Sequence, residues 1–180
     1  MIRSALGRAV TLGTSALADV ETDLIILAVV EGEPFLGDVA GLSAATSGAI
    51  ERALASKEFQ GKPYELFITP VTSGWRATRI GLIGAGPAAS ASLERLRRVA
   101  TAAALAARQR HVARMAFAHC LPIDGAEAFQ VITEGLLLAT FSGDRYKSQD
   151  KAGTAPEQMT VIARPESDVV QEALRAAEDV

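Results

Sequence analysis

The residues best placed to do chemistry are Gly84-Ala85-Gly86-Pro87, which follow an apolar run, Thr78–Ile83, and precede an alanine-rich helical stretch. Read as G-x-G-x-x-G/A, the set is Gly84, Gly86 and Ala89. In that pattern the glycines allow a tight turn and bring a pyrophosphate against a helix N-terminus. Two features oppose the reading. Pro87 lacks an N–H where phosphate would be held. No acidic residue stands about 20 residues on to take a ribose hydroxyl; the next strand ends in His119-Cys120 instead. A plain strand-to-helix turn is the expectation, and a phosphate cradle at Gly84 and Gly86 the alternative.

Other reactive side chains are few. His111 and His119 are the two histidines and Cys120 the one cysteine. With Cys120 alone they do not make a zinc site, which normally needs four ligands or three plus water, and Asp124 is better used as a helix cap. Cys120 as a nucleophile would want a base beside it, but His119 is its strand neighbour and should point to the opposite face. Arg95, Arg97, Arg98, Arg108, Arg110 and Arg114 form a basic helix and its exit. No aromatic residues interleave with them, which argues against single-stranded nucleic acid. The expectation is a solvated or subunit-facing side. Trp75 should sit on a loop, marking an interface or pinning the loop to the core. No residue is assigned to catalysis, to a cofactor or to a metal.

The elements that must position these groups alternate. A short strand is expected at Arg8–Leu12. The run Leu24–Val30 is apolar without alternation, as in a central strand covered on both faces. A helix is expected over about Ser43–Lys57, then strands at Tyr64–Thr69 and Thr78–Ile83. Next comes a helix with Leu93, Leu96, Ala100, Ala103, Ala104 and Ala107 on one face and a Glu94–Arg98 pair outside. A strand at Val112–Ala118 leads to a helix opened by Asp124 and Glu127. Leu136, Leu137 and Leu138 make that helix apolar over a wide arc, so burial between layers is expected, with the helix as the piece around which the rest packs. Ser142-Gly143 should end it. A strand at Met159–Ala163 and a helix from Ser167 follow. The order predicts helices on both sides of a mostly parallel sheet.

Composition bounds the function. The 180 residues are enough for one core, and the net charge of −3 gives no general attraction to nucleic acid or acidic membranes. A lone cysteine fits a reducing, cytoplasmic setting. The longest apolar run is too short to span a bilayer, and the start carries no secretion-signal pattern.

Several stretches resemble, in order, the amino-terminal domain of the leucyl aminopeptidase (cytosol aminopeptidase) family. They are Thr22–Ile26, Leu42–Ala45 with Gly48-Ala49, and Glu58–Lys62. Arg79–Gly84 and the alanine-rich Leu96–Ala107 follow. Glu134–Leu138 and Asp144–Ser148 close the series. The resemblance implies a macro-domain-like, three-layer α/β/α sandwich with a mostly parallel mixed sheet. It implies residues 1–166 as that domain and 167–180 as the start of a linker helix toward an absent catalytic domain. It also implies a homohexameric metallo-aminopeptidase as parent. The two divalent ions, zinc or manganese, and the catalytic residues would lie in the absent part, so none is carried onto this chain. The partners implied are the chain's own catalytic domain and further subunits, with an assembly or structural role. Whether the chain itself is an enzyme is left open. A macro-like module binding ADP-ribose or a nucleotide is the alternative.

Overall fold

The computed structural model describes residues 2–3, 9–32, 39–123, 125–141 and 154–162. Its centre is β3 (Leu24–Val29), whose six residues are all buried. It lies between two parallel neighbours, β5 (Arg79–Gly84) and β6 (Arg114–His119). The other strands are β1 (Ile2–Arg3), β2 (Ala9–Gly13), β4 (Leu66–Pro70) and β7 (Gln158–Ile162). The seven run in the order β1-β2-β7-β6-β3-β5-β4. Only the edge strands β1 and β4 are antiparallel to their neighbours. Pro70 is tolerated because it ends an edge strand, where a missing N–H breaks no ladder.

Alternation along the strands sorts the core into two halves. Leu24, Ile26 and Ala28 face α3 (Leu93–Gln109) and α4 (Ala126–Leu138), with Met115, Phe117, Met159 and Val161 from β6 and β7. Ile25, Leu27 and Val29 face the other side, with Leu42, Ile50, Phe59, Ile80 and Leu82. There α1 (Leu42–Ala45) and α2 (Ala49–Ala55) cover the sheet. The result is three layers, α/β/α, as expected from the sequence. Each fully buried Leu, Ile or Val contributes about 1.5–3 kcal/mol, so the uninterrupted β3 run is a leading source of stability.

Three local readings need correction. The single helix expected over 43–57 is two, because Ser47 and Gly48 take positive φ (50° and 69°). Gly48 then stands as the N-cap of α2. The helix expected to begin with Asp124 and Glu127 has Gly125 as its N-cap, with no side-chain cap bond; Asp124 itself lies outside the described residues. Finally, α4 is not the hub. It lies on one face beside α3, and its three leucines diverge: Leu136 is buried, Leu137 half-buried and Leu138 exposed. The stop at Ser142-Gly143, the Asp144–Ser148 stretch and the helix from Ser167 lie outside the described residues, as does the boundary at 166.

Small residues let α3 and α4 touch. Ala100, Ala103, Ala104 and Ala107 are all fully buried. On α4, a Cβ built at Gly135 would lie 2.3 Å from the Arg97 carbonyl oxygen and 3.0 Å from the Ala100 Cβ. Gly135→Ala would ordinarily stabilise a helix by about 0.5–1 kcal/mol. Here the rigid carbonyl reverses the sign, because the helices must separate. A loss of about 1–3 kcal/mol is expected, read as a lower urea midpoint; a raised midpoint would contradict the close packing.

Candidate functional site

The Gly84–Pro87 turn sits at the C-terminal end of β5, where α/β sheets commonly bind ligands. Its backbone donors point inward. Gly84 N–H donates to the Glu65 carbonyl (2.8 Å), Ala85 N–H to Val29 (2.8 Å) and Gly86 N–H to Gly61 (2.9 Å). Pro87 has none to give. The glycines serve a close backbone approach: a Cβ at Gly84 would lie 1.9 Å from the Lys62 carbonyl oxygen. Gly86 takes φ +77° beneath Pro63. Thus residues 61–65 are wedged over the turn. Ser92 caps α3 by accepting from the Arg95 N–H (3.2 Å), settling which of the two candidate serines does so.

Tyr64 closes this loop. Its φ of +65° is costly for an aromatic residue. It is held there by its N–H donating to the Gly84 carbonyl (2.8 Å). This strained turn explains why β4 begins at Leu66 rather than Tyr64. Arg95 lies over the Tyr64 ring, 5.9 Å from its centroid.

The remaining arginines are distributed, not gathered. Arg97 and Arg98 both bond Glu94, and Arg98 Nε lies 2.7 Å from it. The bonds from Arg98 and Arg97, with their charges, hold the Glu94 carboxyl below its ordinary range, and the bond to Glu94 and its charge raise Arg98. Arg97 also reaches Glu134 on α4 at 3.8 Å. Arg110 folds back onto the Ala106 carbonyl (3.1 Å). Arg108 is buried and donates to the Phe141 carbonyl at 3.2 Å and to that of Ala139 at 3.5 Å. A cation there satisfies carbonyls that the end of α4 leaves unpaired and meets the negative end of its dipole. Sequence periodicity could not assign this role, since it needs the register of two helices.

The other candidates stay apart. His111 is exposed at φ +53° in the α3–β6 turn. His119 is buried at the end of β6, and Cys120, half-buried, donates its N–H to the Ala28 carbonyl (3.0 Å). Among the described residues, no three His, Cys, Asp or Glu side chains are arranged to hold a metal ion. No helix of the described residues is long and apolar enough to cross a membrane. Trp75 is buried in the core beside Gly41, so it pins its loop. The large apolar side chains exposed among the described residues are Leu54, Tyr64, Leu105, Leu138 and Phe141.

Fold and side chains together define a three-layer α/β domain whose polar groups mostly hold its own elements. A sequence profile described as "Cytosol aminopeptidase family, N-terminal domain" matches residues 26–150. The chain belongs to the cytosol aminopeptidase family, as its N-terminal domain. It is 30% identical over 164 residues to a probable cytosol aminopeptidase of Solibacter usitatus (strain Ellin6076), covering 86% of this chain and 32% of the relative. It is 33% identical over 141 residues to one of Geobacter sp. (strain M21), covering 76% and 28%. The chain thus spans about a third of the length of the curated relatives it matches. Among solved structures, a tomato leucine aminopeptidase mutant superposes with a TM-score of 0.70 at 22% identity, over 95% of this chain and 35% of the other. The bottromycin maturation enzyme BotP, in complex with Mn, superposes with a TM-score of 0.54 at 24% identity, over 87% and 30%.

Asp23 illustrates the structural use of charge. It accepts from the Arg114 N–H (2.9 Å) and guanidinium (3.1 Å), tying the starts of β3 and β6. Burial pushes its carboxyl up, but the Arg114 bonds and charge and the Ala113 amide outweigh this and hold it below the usual 3.8. A depressed acid stabilises the fold above its unfolded value, and the gain is lost as pH falls through the folded value. Asp23→Asn should cost about 1 kcal/mol or less near neutrality. That deficit should shrink below about pH 4, measured by denaturant titration across pH; a deficit constant with pH would contradict the linkage.

Proposed function

We propose that this chain is the non-catalytic N-terminal domain of a metal-dependent leucyl aminopeptidase. Its role is structural: it packs against a catalytic domain and takes part in assembling a homo-oligomer, a hexamer in the parent enzyme. The parent would work in the cytoplasm, removing N-terminal residues from peptides with two divalent ions held outside this chain. The observation that carries the reading is the N-terminal-domain match over residues 26–150. It is supported by the way the arginines, the Gly84–Gly86 amides and Asp23 are committed to internal bonds. BotP, whose structure holds Mn, supports metal use by the parent.

The purified 180-residue chain should not hydrolyse leucine p-nitroanilide with Mn²⁺ or Zn²⁺ added. Turnover that persists through purification would overturn the proposal. Deleting the matching segment from the Solibacter usitatus relative should disrupt its assembly, seen as a smaller particle by light scattering. An unchanged particle would remove the assembly role.

A further inference from the structure

Glu65 closes a ring within its own loop. One carboxylate oxygen, Oε2, accepts from the Gln60 N–H (2.8 Å) and the Lys62 N–H (3.1 Å), and the Glu65 N–H returns a bond to the Lys62 carbonyl (3.0 Å). Gly61, at φ +80°, turns the two amides on either side of it toward one point. Backbone N–H groups so gathered form a concavity that holds an anion. Here the chain supplies the anion itself, and a bond to a charged oxygen is roughly twice as strong as one between neutral groups. Little apolar burial holds the loop down. Lys62, Pro63 and Tyr64 are exposed, and Tyr64 is strained at φ +65°. Both ends are anchored: Phe59 is buried in the core, and Leu66 opens β4.

We infer that residues 60–65 are a strap that lifts and closes as one unit over the end of β5, with the Glu65 carboxylate as its latch. Three backbone bonds join the strap to the strand end: Gly84 N–H to the Glu65 carbonyl, Tyr64 N–H to the Gly84 carbonyl and Gly86 N–H to the Gly61 carbonyl. They form together only when the strap holds one shape. The latch sets that shape by fixing the amides of Gln60 and Lys62 to Glu65. The strained Tyr64 backbone pushes the other way, and such strain persists only where its surroundings over-determine it. Ala85 stands apart. Its N–H bonds Val29 of β3, a partner that the strap does not carry. Lifting the strap therefore frees the Gly84 and Gly86 amides together and leaves Ala85 paired. The strap is an internal contact that withholds two backbone donors at the strand end, and Glu65 decides how firmly.

Hydrogen exchange of the 180-residue chain, followed amide by amide by NMR, tests this. In the unaltered chain Lys62, Tyr64, Gly84 and Gly86 should share one protection factor, with Ala85 protected about tenfold or more above them. Glu65→Ala should lower the protection of those four by about tenfold or more. The same change should leave Ile26 and Leu27 of β3 within about twofold, which also shows that the variant is folded. Glu65→Gln keeps an oxygen of the same reach without its charge, and should fall between the two. Were Glu65→Ala not to fold, Glu65→Gln gives the same readout. Unequal protection among the four amides overturns the inference, as does an Ala85 that exchanges with its neighbours. So do variants that leave the strap as protected as before, or that loosen β3 as much as the strap.

Discussion

The fold depends on burying β3 on both faces. Six consecutive apolar residues cannot be half-exposed at any register, because side chains alternate sides. They require a helical layer above and below and a strand on each edge. The chain meets this with α3 and α4 on one side and α1 and α2 on the other, and with β5 and β6 as parallel neighbours. Parallel neighbours in turn require crossovers, and these are the helices themselves. One uninterrupted run thus dictates layer number, strand direction and the alternation of elements.

A second constraint is proximity. Where the backbone must come within van der Waals distance of another segment, the chain has glycine. Gly84 lets residues 61–62 lie on the end of β5, and Gly135 lets α4 lie on α3. The alanines of α3 serve the same end. Little room is left between layers, and the long polar side chains are driven to the outside or to helix ends. Of the six arginines from Arg95 to Arg114, five are exposed or half-exposed, and Arg108 is buried where carbonyl oxygens at the end of α4 receive it.

Much of this was legible in sequence. The unbroken Leu24–Val30 run, the alanine stripe of α3 and the Glu94–Arg98 pair led to elements found at those positions. The ordered stretches also pointed to the family. What escaped were features set by geometry between distant segments. The Ser47-Gly48 break is invisible to periodicity, because the apolar spacing continues through it. Leu138 looked buried because three leucines in a row were read as a wide apolar arc. The seam of two helices shelters Leu136 and leaves Leu138 outside. The fate of the Gly84 turn depended on a loop arriving from twenty residues upstream.

That last case separates fold kinship from function. A diphosphate at a strand-to-helix turn is held by N–H groups with no other partner. At Gly84, Ala85 and Gly86 each N–H already has a carbonyl within 2.8–2.9 Å. Two of these bonds fasten the 61–65 loop, and the third joins the turn to the end of β3. A phosphate could take these donors only by lifting the loop and stranding the carbonyls of Glu65, Val29 and Gly61. Each buried carbonyl left unpaired costs about 1–3 kcal/mol. Repacking Pro63 and the strained Tyr64 would add to that. The glycines that make the turn look like a nucleotide fingerprint are required here for the opposite reason, to let the chain's own backbone fill the place a ligand would take.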